Sequence, residues 1–196
     1  VVLNATNFPD DNFRAYISNL TGVSVGSTIS DAKLANVTNI DVNHRSISSL
    51  QGIEYFTELT KLDCSNNQLT SLDFGRNTKL EKLRCLHNNL TSLSVSNNIY
   101  LTVLYCSENQ LTSLNVGNNT KLAHLNCGSN QLTSLDVSNN TELCRLHCTG
   151  NQLTSLDVSK NTSLYDLSCF NNQLTSLDVS NNTELTNLDC RGNHLT

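Results

Sequence analysis

Apolar and polar positions recur with a period of 21 residues from position 59 onward. Cys64, Cys85, Cys106, Cys127, Cys148, Cys169 and Cys190 keep that spacing, and so do Asn67, Asn88, Asn109, Asn130, Asn151, Asn172 and Asn193. Leu fills the columns that begin at Leu59, Leu62 and Leu69, and another column begins at Leu72. Phe74 heads a column that is Val in the next five copies. Such register over seven copies marks an internal repeat, in which each unit covers the apolar face of the next.

A second regularity lies inside each copy. Residues 59–67 read LTKLDCSNN, which is LxxLxCxxN, and residues 69–77 read LTSLDFGRN, which is LxxLxφxxN with φ apolar. The alternation L-x-φ has the period of a strand, so both apolar residues point inward and their neighbours outward. Each Asn then ends its segment, because its short amide bonds nearby backbone and turns the chain. The prediction is a flattened right-handed spiral, with a parallel sheet built from the first segment of each coil. The second segment is expected to be extended or a short strand, leaving open a second sheet. Each coil buries about six apolar side chains at roughly 1.5–3 kcal/mol apiece, so only stacking offsets the entropy of ordering it.

The combined pattern LxxLxCxxNxLxxLDVxxN resembles the bacterial leucine-rich repeats of IRREKO type, over residues 59–196. Val37, Ile40, Val42, Ile47, Leu50, Ile53 and Phe56 fit a 22-residue repeat similar to the internalin type, with Arg45 where that motif carries Asn. The resemblance implies a leucine-rich-repeat solenoid with parallel β on its concave face. It also implies a non-catalytic interaction module at the bacterial cell surface or in the extracellular space, an adhesin or host-contact protein. The alternative reading is a structural spacer that displays another domain.

Two divisions follow. Residues 37–196 are expected to form the repeat domain, with one 22-residue repeat and then seven 21-residue copies, the last truncated. Residues 1–36 are expected to form a helical N-terminal cap. Pro9, Asp10 and Asp11 suit the start of a helix, and Phe13, Tyr16, Ile17 and Leu20 line one stripe of it. A second short helix is expected from Ser30–Asp31, covering Leu34. The intervening TGVSVGSTIS lacks the carboxylates of a calcium loop. At the other end Leu188, Cys190 and Leu195 are expected on an open edge. The native chain is expected to continue past Thr196, and the molecule to be monomeric unless that edge self-associates.

Comparison between copies locates the candidate site. Outward positions of the first segment vary: Lys82, Arg84 and Leu86, then Val103 and Tyr105, then His124 and Asn126. They go on to Arg145 and His147, then Asp166 and Phe170. The second segment repeats Ser, Asp and Ser with little change. Drift at solvated positions would touch both faces alike, so the varied face is the expected ligand-binding surface. Its candidate residues are Lys82, Arg84, Leu86, Tyr105, His124, Arg145, His147, Asp166 and Phe170. Five cations face three carboxylates on that side, whereas the whole chain carries a net −5. Buried aromatic and arginine anchors dominate protein recognition. A protein, peptide or glycan partner with acidic and apolar character is therefore expected.

Composition removes other classes. Charged residues are 15% of the chain, below the roughly 25% usual in globular proteins. The negative balance and lack of a basic run argue against nucleic acid. No apolar run approaches the roughly 18 residues of a membrane span. The cysteine column is read as free thiols filling a small apolar slot, without the CxxC spacing of metal sites. Cys144 lies outside it. The column Asp73, Asp136, Asp157 and Asp178 is read as solvated, with a cation as the other possibility. No cofactor and no catalytic residue are expected, since an open sheet has no water-excluding pocket.

Overall fold

The computed structural model describes residues 1–196. Helices α1 (Asp11–Thr21) and α2 (Asp31–Ala35) precede β1 (Asn39–Asp41) and a 3₁₀ turn at Ile53–Tyr55. One short strand per coil follows: β2 (Lys61–Asp63), β3 (Lys82–Arg84), β4 (Val103–Tyr105), β5 (His124–Asn126), β6 (Arg145–His147), β7 (Asp166–Ser168) and β8 (Asn187–Asp189). All eight strands lie in one parallel sheet in chain order. The register is that of the sequence repeat, with Leu83 opposite Leu62 and Leu104. A single apolar core runs unbroken from Leu3 to Leu174.

The second segment forms no sheet. One backbone bond per coil joins its neighbours there, such as Gln110 N–H to the Leu90 carbonyl at 2.9 Å. A local side-chain bond takes one further donor in most coils. The Asp73 carboxylate accepts the N–H of Gly75, and Asp136, Asp157 and Asp178 accept those of Ser138, Ser159 and Ser180. Asn115 does the same for Gly117. The acidic column is thus a run of Asx turns. These bonds stabilise the ionised form, and Asp136, Asp157 and Asp178 have pKa values below the usual carboxylate range.

Asparagines lock the corners. The side-chain oxygens of Asn88, Asn109, Asn130, Asn151, Asn172 and Asn193 each accept a backbone N–H from the preceding coil at 2.9–3.0 Å. Each amide then donates to carbonyls of its own coil and of the one before. The residue before every one of these corners, and before Asn67, has positive φ: Asn66, His87, Glu108, Ser129, Gly150, Asn171 and Gly192. Asn77, Asn98, Asn119, Asn140, Asn161 and Asn182 form a second buried ladder opposite. At the first corner, where Arg45 replaces Asn, the Asn67 oxygen reaches back to the N–H groups of Arg45 and Ile47.

The N-terminal helices close the first coil. Asp10 caps α1 through the Phe13 N–H, and its other oxygen accepts from the Ser48 N–H and hydroxyl. Pro9 therefore stands outside α1 rather than in its first turn. Phe13 and Ile17 are buried, but Leu20 is 40% exposed and leaves the expected stripe. Ser30 caps α2 as expected. Leu188 and Leu195 at the far end are exposed.

All eight cysteines are free. Burial raises the pKa of Cys85, Cys106, Cys127 and Cys148 strongly, with neighbouring thiols adding to it, and pushes Cys169 up to about 11. The thiolate is the reactive form. In the native chain at pH 8, DTNB should therefore label only Cys144 and Cys190, which are half-buried. The six buried thiols should react only after denaturation. Rapid native release of more than two equivalents would contradict this account of the ladder.

Candidate binding surface on the sheet

Parallel register turns each outward position into a row across the coils. One row reads Lys61, Lys82, Val103, His124, Arg145, Asp166 and Asn187. The next reads Asp63, Arg84, Tyr105, Asn126, His147, Ser168 and Asp189. Long cationic and aromatic side chains on adjacent rungs can reach one another at this spacing.

They do so in two places. The Arg84 guanidinium sits over the Tyr105 ring, 5.4 Å from its centroid, and 3.8 Å from the Asp63 carboxylate. The Arg145 guanidinium lies 5.6 Å from the Tyr165 ring centroid and donates to the Tyr165 hydroxyl at 3.2 Å. Its Nε is 2.9 Å from the Asp166 carboxylate, an ion pair without the alignment of a hydrogen bond. Cation–π contacts of this kind contribute about 0.5–1 kcal/mol at exposed sites. Burial works against the Arg145 charge, but Tyr165, Asp166 and Tyr105 outweigh it and hold its pKa above the usual arginine value.

Asp166 departs from its expected role. It is only 7% exposed, so it is not an outward contact residue. One oxygen faces both Arg145 Nε and His147 Nε2, at 2.9 and 3.1 Å. The other accepts from the Asn187 amide at 2.8 Å. Its short side chain lies beneath the longer Arg145 and His147 and holds them in place.

His124 is half-buried. Burial lowers its pKa, and the charges of Arg145 and Lys82 lower it further, so the imidazole is neutral at pH 7. Its Nε2 is 3.8 Å from the Cys144 sulfur, which donates to the Ala123 carbonyl at 3.3 Å. Leu86 and Phe170 lie beyond the ends of β3 and β7 and are half-buried beside the corners. They flank the surface rather than stand on the strands. Lys82 is exposed on β3. A depression of 240 Å³ opens beside it, lined by Asn39, Asp41, Lys61, Asp63 and Arg84.

Tyr165 was absent from the expected set. It occupies the position just before the strand, in the column Glu81, Thr102, Ala123, Cys144 and Tyr165. That column also varies from copy to copy, and reading it would have found the residue.

Among known proteins, no family model matches the chain. Two curated internalin J sequences, from two strains of Listeria monocytogenes, are 44% identical over 71 residues, or 36% of this chain. The chain spans 8% of those relatives' length. The solved functional domain of internalin J, described as including a cysteine ladder, is 36% identical with a TM-score of 0.62. That match covers 98% of this chain and 52% of the solved domain. The leucine-rich-repeat ectodomain of the Arabidopsis thaliana receptor kinase GASSHO1/SCHENGEN3 has a TM-score of 0.76 over 82% of this chain and 22% of its own. At 24% identity it shares the fold alone. The chain is a leucine-rich-repeat solenoid of 21-residue coils with an internal cysteine ladder, similar to Listeria internalin J.

Proposed function

We propose that this chain is a non-catalytic interaction module that binds a partner through the outward face of β3–β7. The observation that carries this reading is the pair of arginines held against tyrosines on an otherwise acidic chain. Arg145 is also fixed by the sequestered Asp166, an arrangement that drift at a solvated position would not maintain. The similarity to internalin J supports a secreted or surface-exposed bacterial setting and a role in adhesion or host contact. The plant ectodomain of the same fold was solved with CASPARIAN STRIP INTEGRITY FACTOR 2 bound, which fits a fold used for recognition.

The partner class is a protein, peptide or glycan. An array of immobilised extracellular-matrix proteins and glycans, probed with the 196-residue chain, tests the reading. The Arg84→Ala/Tyr105→Ala double variant should weaken capture at least tenfold, about 1.4 kcal/mol. Ser113→Ala/Ser134→Ala on the second segment should leave it unchanged. Equal capture by both double variants would overturn the assignment of this face.

A further inference from the structure

We infer that the sheet face is built for an acidic peptide lying extended across the strands, its two carboxylates engaging Arg84 and Arg145. This rests on the binding role proposed above and gives it a ligand chemistry.

Charge and availability come first. The side chains of Arg84 and Arg145 are 52% and 37% exposed. Lys61 and Lys82 lie exposed on the same face and extend the positive field. Of the carboxylates nearby, Asp166 is sequestered under Arg145, His147 and Asn187. Asp63 approaches Arg84 only at 3.8 Å. Arg145 turns one edge of its guanidinium to Asp166 and Tyr165 and stays partly open to solvent. A planar guanidinium matches a carboxylate in a two-point fork, and one already fixed by neighbours loses little freedom on binding.

Spacing comes second. Arg84 and Arg145 stand on β3 and β6, three strands apart. Their rows are two residues apart, so about 14 Å across the strands and about 6.6 Å along them put their backbones about 16 Å apart. An extended peptide advances about 3.4 Å per residue, so four residues cover about 14 Å and the long arginine side chains reach across the rest. Four is even, and side chains of a strand alternate in direction, so positions i and i+4 face the same way. Position i+2 faces that way too and meets the sheet near the middle of that span, over β4 and β5. The motif is therefore acid–any–apolar–any–acid. Val103 and Tyr105, both half-buried on β4, give the middle residue an apolar seat. A sulfated glycan would use the cations but has no apolar group for that seat, so the peptide is favoured.

A random 12-residue peptide display library, panned on the 196-residue chain, tests this. Enriched sequences should carry Asp or Glu at i and i+4 with an apolar residue at i+2. Changing either acid to its amide should weaken binding at least tenfold, and so should Arg84→Gln or Arg145→Gln. Arg145→Lys should not restore it. Melting by circular dichroism confirms that the variants fold. Enrichment without that spacing, equal binding by the arginine variants, or no enrichment while a heparin oligosaccharide binds the face would each overturn the inference. If no such peptide emerges but the array partner is still lost on Arg84→Ala/Tyr105→Ala, the acidic-peptide inference falls alone. If that partner is not lost either, the binding face falls with it.

Discussion

Asn130→Ala is expected to cost on the order of 3–5 kcal/mol of stability. The Asn130 side chain accepts the Leu111 N–H at 2.9 Å and donates to the carbonyls of Cys106, Cys127 and Gly128 at 3.1, 3.1 and 3.2 Å. It is 8% exposed, so water does not replace it freely. Alanine orphans the buried Leu111 N–H, at about 1–3 kcal/mol, and removes one of two donors from each of three carbonyls, a further net loss of about 0.5–1 kcal/mol apiece. The damage falls on the joint between two coils, which in a solenoid is where cooperativity resides. Urea unfolding should show a clear fall in midpoint. The neighbouring exposed Gln131→Ala should stay within about 0.5 kcal/mol. A loss below about 1 kcal/mol for Asn130→Ala would contradict the ladder as the main corner device.

The second large effect lies where the cap meets the first coil. Gly52 has φ +104, and a Cβ there would stand 2.3 Å from Phe8 Cδ1 and 2.8 Å from the Asn7 carbonyl. The Phe8 ring cannot yield, since it packs on Phe13, Tyr55 and Phe56 at centroid distances of 6.0, 5.8 and 6.5 Å. Gly52→Val combines backbone strain of about 1–3 kcal/mol with overpacking of similar size, on the order of 3–5 kcal/mol together. Limited proteolysis should then cut within residues 1–36 before the coils. Gly26→Ala is the control: it also has positive φ, but nothing lies within 4 Å of its Cβ position. Equal losses at the two sites would show that backbone strain, and not the Phe8 contact, sets the effect.

The spiral, its register and its Asn corners were legible because 21-residue spacing leaves each Leu, Cys and Asn one physical role. The second segment was less so. LxxLxφ has strand alternation, yet Asp73 and its equivalents draw the next donors into Asx turns, and period alone does not reveal that competition. The same finding narrows the argument from uniformity. That position is Asp or Asn in five of six copies because the turn needs a side-chain acceptor, so the contrast between faces rests on Ser71, Ser92, Ser113, Ser134, Ser155 and Ser176, all exposed. Within the site, alternation placed Arg84, Tyr105, Arg145 and His147 outward correctly. It also placed Asp166 outward, and only side-chain length decides that Arg145 and His147 close over it. Tyr165 sits one position before the strand, where alternation gives no outward assignment.

Hydrogen-exchange footprinting of the chain with its tightest array partner shows which face the partner covers. The account predicts added protection on residues 82–86, 103–107, 124–128 and 145–149, with none on 92–96, 113–117 and 134–138. Protection confined to the second segments would contradict it.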